Sequence, residues 1–118
     1  MTSKKWLQDY FQRYEQSLLK TDVSSQLIEL RDLVMSLRAS GKHIFFAGNG
    51  ASASIASHAA VDFTKQAKVP AFDFNEPNFI TAFSNDFGYE NWIAKALEYR
   101  ASAGDVVVLI SSSGKSAN

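Results

Sequence analysis

Two apolar runs that each end in small, polar residues constrain this chain more than anything else in it. His43-Ile44-Phe45-Phe46-Ala47-Gly48 leads into Asn49-Gly50-Ala51-Ser52. About sixty residues later, Val106-Val107-Val108-Leu109-Ile110 leads into Ser111-Ser112-Ser113-Gly114-Lys115-Ser116-Ala117-Asn118. Short apolar runs bounded by turn residues read as strands buried on both faces, the kind that parallel sheets contain. Loops at the carboxyl ends of two such strands form the crevice in which α/β proteins hold phosphorylated ligands. No helical segment follows the second loop, so the site is expected to be open on that side, with the carboxyl-terminal part of the domain missing.

The remaining pattern is helical. Trp6, Leu7, Tyr10, Phe11, Tyr14, Leu18 and Leu19 recur at three- and four-residue spacing, which predicts an amphipathic helix. Leu27, Leu30, Leu33, Val34 and Leu37 predict a second, with Ser24 or Ser25 as N-cap and Gly41 as its stop. From residue 43 onward the spacing predicts a strand at 43–48, a helix at about 52–66 and a short strand at about 70–74. A short helix near 77–84, another at roughly 89–102 and a strand at 105–110 complete the series. Alternation of this kind implies a parallel sheet with helices on both faces. The leading helices lie outside any strand-helix-strand unit, so their stripes are expected to pack either within one subunit or against partner subunits.

Composition narrows the function classes. Twelve basic and twelve acidic residues cancel, and without a basic cluster there is no electrostatic footprint for nucleic acid. The chain has no cysteine, which excludes disulfides and thiolate chemistry. Polar residues interrupt the amino-terminal stripe, so it is no signal peptide, and no segment reaches the roughly 18 apolar residues of a membrane span. A cytoplasmic protein is expected.

The first loop, Gly48-Asn49-Gly50-Ala51-Ser52-Ala53, has the G-x-G-x-x-A form of a dinucleotide fingerprint, and Asp73 follows at the end of the next strand. On this pattern a Rossmann oxidoreductase resting on Gly48, Gly50, Ala53 and Asp73 competes with a phosphate-monoester site. The second loop ends in Gly-Lys-Ser, but a P-loop needs glycine where Leu109 stands. What remains is a hydroxyl-rich turn suited to the oxygens of a phosphate monoester. His58 and Asp62, four apart on the predicted helix, share a face. They are either a pair of metal ligands or a hydrogen-bonded pair on the helix surface.

Four segments in order carry a resemblance. They are Ala47-Gly48-Asn49-Gly50-Ala51-Ser52, then His58, then Ser84-Asn85-Asp86-Phe87-Gly88, and finally Gly104-Asp105-Val106 running on through Ile110 to Asn118. Together they resemble sugar isomerase (SIS) domains, in particular the phosphoheptose isomerase branch, which makes a lipopolysaccharide heptose precursor. The resemblance runs from about residue 43 to the end, and the two leading helices also fit. It implies a flavodoxin-like parallel sheet flanked by helices. Residues 42–118 would be the N-terminal portion of that domain, and 1–41 a helical pair for oligomerisation, with a homotetramer favoured. By position, Ser111, Ser112, Ser113 and Ser116 would hold a sugar phosphate, and Asn49, Gly50, Ala51 and Ser52 would line the substrate. Asn85 and Asp86 would contact its hydroxyls, and His58 would ligate a metal, usually zinc. The family places a glutamate, both ligand and acid/base, where this chain has Asp62, whose carboxylate is set back by roughly an ångström.

The resemblance therefore implies a D-sedoheptulose 7-phosphate isomerase with Asp62 as catalytic residue, zinc as the possible cofactor and no nucleotide cofactor. The family's other metal ligands, a glutamine and a histidine, come from a later part of the domain and have no match here. A non-catalytic SIS module that binds a phosphosugar as a sensor, or serves as an assembly factor, is the alternative that Asp62 keeps open.

Overall fold

The computed structural model describes residues 1–118. Two compact units divide the chain, Met1–Asp32 and Leu33–Asn118. The division falls inside the second helix rather than at Gly41.

In the first unit, helix α1 spans Ser3–Tyr14 and continues as a π-helical turn over Glu15–Leu19. The Thr2 hydroxyl accepts the Lys5 N–H at 3.3 Å and caps it. Helix α2, Ser24–Ser40, begins here. Its start is held not by Ser24 or Ser25 but by Asp22, whose carboxylate accepts the Ser24 N–H at 2.9 Å. Hydrogen bonds from the Ser24 side chain and backbone hold the Asp22 carboxyl below the usual carboxylate value. No side chain of α1 is buried, and Trp6, Leu7, Tyr10 and Phe11 remain exposed.

In the second unit, α2 ends at Gly41, where φ is +66° and the Lys42 N–H reaches back to the Leu37 carbonyl. This is the left-handed closure for which glycine is suited. Strand β1, Ile44–Gly48, then enters the core. Helix α3 covers Ala51–Asp62 and widens into a π turn over Phe63–Ala67. Strand β2 is only Ala71–Phe72, shorter than the predicted 70–74. The Thr64 hydroxyl accepts the Ala71 N–H and donates to the Ala71 carbonyl, so a side chain occupies its outer edge.

Helix α4, Pro77–Phe87, starts with Pro77 in its first turn and the Glu76 carboxylate accepting the Phe79 N–H at 3.1 Å. The spacing predicts an end near residue 84; the helix runs on to Gly88, whose φ of +84° stops it. Asn85 and Asp86 are thus helical. Helix α5 is Trp92–Arg100 and strand β3 is Val106–Ile110.

The sheet is parallel with order β2-β1-β3, so β1 is its centre. Ile44 and Phe46 pack with Val34, Leu37, Ala56 and Ala60 on one face. Phe45 and Ala47 pack with Phe74, Trp92, Ile93 and Ala96 on the other. A one-residue slip of β1 would exchange these two sets, so both cores specify the same register. The alanines of α3 let that helix lie close to the strand, which brings its amino terminus over the end of β1.

Candidate functional site

Topology decides where the site lies. The chain leaves β1 through α3 to pair β2 on one side, then crosses through α4 and α5 to pair β3 on the other. The connections therefore diverge between β1 and β3, and the crevice beyond the carboxyl ends of those two strands is the natural ligand site. Gly48 and Ile110 are register partners, so both strands end level and both loops start side by side.

A cleft of about 440 Å³ lies between these loops. Asn49 and Ser52 line it from the first loop; Ser111, Ser112, Ser113 and Ser116 line it from the second. Gly48 lines it too, and its place is dictated by contact. A Cβ there would meet the Ser52 carbonyl group at 2.7 Å and the Ile110 oxygen at 2.9 Å.

The first loop presents a helix amino terminus. Gly50, at φ +56°, is the residue before α3. The N–H groups of Ser52 and Ala53 turn back onto the Asn49 and Gly50 carbonyls, whereas those of Gly50 and Ala51 have no backbone acceptor. Amides so left over, with the helix dipole behind them, favour an anion. Gly50 and Ala51 belong to this terminus without lining the cleft.

The second loop divides its hydroxyls into two kinds. The Ser111 Oγ accepts the Gly114 N–H at 2.8 Å, and the Ser113 Oγ accepts the Lys115 N–H at 3.2 Å. These two serines shape the turn around Gly114, where φ is +64°. The hydroxyls of Ser112 and Ser116 make no hydrogen bond within the chain. No Lys or Arg lines the cleft, so a phosphate there would be held by neutral donors.

Two residues of the site carried no sequence signal of their own. Asn49 and Asn118 form a reciprocal amide pair, Nδ2 to Oδ1 at 2.8 Å and 2.9 Å. The Tyr89 hydroxyl donates to Asn49 Oδ1 at 3.2 Å. Asn118 stood at the end of a hydroxyl-rich run and Tyr89 only next to a turn glycine, and contacts spanning forty or more residues leave no local pattern.

Other predicted residues lie elsewhere. Asn85 and Asp86 sit exposed near the end of α4, the Asn85 amide donating to Asp86 at 3.0 Å, outside the cleft. His58 and Asp62 lie on the outward face of α3, their side chains 78% and 53% exposed, with Nε2 and Oδ2 3.4 Å apart. The donor set fails for zinc within one chain, because no group of three His, Cys, Asp or Glu side chains is close enough to share an ion. Asp73 accepts the Asn75 N–H of its own turn at 3.2 Å and lines a groove with Ser57, Thr64 and Lys65. It does not line the cleft between β1 and β3.

One buried carboxylate supports the site from below. Asp105 accepts the His43 N–H at 2.9 Å and the Ser102 N–H at 2.8 Å, and the His43 imidazole lies 3.3 Å away. Its burial pushes the carboxyl upward, but those hydrogen bonds and the imidazole prevail and hold it below the usual carboxylate value. The group ties the starts of β1 and β3 together.

The chain is similar to known proteins over most of its own length. No protein-family model matches the chain. It is 33% identical over 106 residues to the phosphoheptose isomerase of Geotalea uraniireducens, covering 85% of this chain and 56% of that protein. Against that of Thermodesulfovibrio yellowstonii the identity is 38% over 92 residues, 73% of this chain and 45% of the other. The chain spans about half the length of these curated relatives. Among solved structures, a phosphoheptose isomerase from Neisseria gonorrhoeae matches with TM-score 0.82 at 29% identity, over 99% of this chain and 65% of that one. One from Francisella tularensis shares the fold with TM-score 0.86 at 24% identity, over 100% and 66%. No helix is long and apolar enough to cross a membrane.

Proposed function

This chain is a homologue of the N-terminal part of the phosphoheptose isomerases, and from that premise we propose that it binds a phosphorylated sugar and serves the aldose–ketose isomerisation of D-sedoheptulose 7-phosphate. One observation carries the reading: the α3 amino terminus and the serine loop meet at a single cleft. A phosphate monoester fits a site of neutral donors, with Ser112 and Ser116 holding oxygens, Ser111 and Ser113 shaping the turn, and the dipole of the α3 amino terminus behind the opposite wall.

The reaction moves a proton between C1 and C2 through an enediolate, which needs a base at carbon and an acid at the carbonyl oxygen. Asp62 is the carboxylate assigned to that task, and Asn85 and Asp86 the residues for sugar hydroxyls. The place of the reaction is lipopolysaccharide precursor synthesis in the cytoplasm, and the assembly a homotetramer. The exposed stripe of α1 supports self-association, as do Ile55 and Val61 beside His58, each 57% exposed. A single-subunit mass in analytical ultracentrifugation would remove the tetramer.

A second reading, phosphosugar binding without turnover, is favoured by the position of His58 and Asp62 outside the cleft. The two separate experimentally. Sedoheptulose 7-phosphate should raise the melting temperature and NAD should not. Ser112→Ala and Ser116→Ala should each weaken sugar-phosphate binding by roughly ten- to a hundredfold, since a hydrogen bond to a charged group contributes about 1.5–3 kcal/mol. The fold should be untouched, because both serines are exposed. Turnover abolished by Asp62→Asn with binding intact supports the isomerase; binding with no turnover in the unmodified protein supports the binding module. Heat protection by NAD rather than by the sugar phosphate would overturn both.

A further inference from the structure

The carboxamide of Asn49 is more fully committed than its position at the cleft requires. Its oxygen accepts twice, from Asn118 Nδ2 at 2.9 Å and from the Tyr89 hydroxyl at 3.2 Å. Its nitrogen donates once, to Asn118 Oδ1 at 2.8 Å. An amide oxygen has two lone pairs and an amide nitrogen two hydrogens, so both acceptor positions are filled while one N–H is left. The pair with Asn118 is reciprocal, and by itself it would be preserved if both amides turned over together. The Tyr89 hydroxyl lies at one end of the pair only, and in this arrangement it donates to the Asn49 oxygen.

We propose that Tyr89 is a positioning residue of this cleft: with Asn118 it saturates the Asn49 oxygen, so that Asn49 meets a bound sugar phosphate only as an N–H donor. This inference rests on the phosphosugar reading above. Its chemical consequence is selectivity. Asn49 favours a sugar oxygen that accepts, such as the carbonyl, and gives no acceptor to a ligand hydroxyl. Tyr89 comes from the turn after α4, so the same contact ties that turn to the first loop. Its ring lies 6.5 Å from that of Trp92 and is 53% exposed, so removing the hydroxyl alone leaves the packing in place.

The test is Tyr89→Phe in the full chain, read in two ways. The Asn49 side-chain amide protons, followed by nuclear magnetic resonance, should shift and exchange faster with solvent in the variant. Affinity for sedoheptulose 7-phosphate should fall about fivefold, the equivalent of one neutral hydrogen bond, while affinity for inorganic phosphate stays within twofold and the melting temperature holds. A purely structural role would lower the two affinities together with the melting temperature, and that result would overturn the inference. Unchanged sugar-phosphate affinity would overturn it equally. If the unmodified chain takes up no sugar phosphate while the Asn49 signals still answer to Tyr89→Phe, the phosphosugar reading falls and takes the selectivity with it, but the amide geometry stands.

Discussion

Gly48→Ala is expected to be the most damaging single-methyl change in the chain. The added carbon would sit 2.7 Å from the carbonyl carbon and oxygen of Ser52 and 2.9 Å from the oxygen of Ile110. All three are backbone atoms, so no rotamer change relieves the clash. Either the α3 amino terminus lifts or the β1–β3 ladder opens at its last pair, Gly48 with Ile110. Overpacking of this kind costs about 3 kcal/mol, which for a domain of this size lowers the melting temperature by on the order of 15 °C. Urea unfolding and calorimetry measure this directly. Sugar-phosphate binding should vanish even where the variant is still folded, because the displaced elements are the two walls of the cleft. Gly50→Ala is the internal control. Nothing lies within 4 Å of the position, so only the backbone strain at φ +56° is felt. A Gly48→Ala protein as stable as the parent would show that the close approach of these loops is not what holds the site.

The second large effect is expected at Asp105. Its side chain is 1% exposed and receives two main-chain N–H groups, one from each of two segments. Asp105→Asn is nearly isosteric but turns one acceptor into a donor, so an amide group must face either the His43 or the Ser102 N–H. The His43 donor is part-buried and the Ser102 donor exposed, so water can replace part of what is lost and the cost is on the order of 1 kcal/mol. The pH dependence fixes the mechanism. The folded carboxyl lies below its unfolded value of about 3.9, so the carboxylate binds fewer protons folded than unfolded. Its stabilisation is therefore complete above the unfolded value and is lost as pH falls through the depressed one. The parent should be more stable than Asp105→Asn by on the order of 1 kcal/mol near pH 6, and the two should converge in strong acid, where the parent carries a protonated carboxyl in the same place. A gap that persists at the lowest pH would assign the loss to shape rather than to charge.

The element order and the location of both loops were legible along the chain because each depended on neighbouring residues. Uninterrupted apolar runs marked β1 and β3, and Gly41 marked the end of α2. Departures arose where a distant or side-chain partner intervened. Strand β2 is short because Thr64 takes its edge, and α2 begins at a cap supplied by Asp22. Helix α4 runs past its expected end near residue 84, up to the left-handed Gly88.

What the amino-acid sequence determined by itself was local: which segments are strands, which are helices, and which turns have the small residues and hydroxyls an anion needs. Only the tertiary structure decided that β3 pairs with β1 rather than β2, since a parallel ladder joins residues some sixty positions apart and leaves no periodicity to read. That choice set two separate loops side by side, left His58 and Asp62 on an outer helix face, and recruited Tyr89 and Asn118 to Asn49. Each outcome follows from long-range packing, in which a residue's role is set by what folds against it.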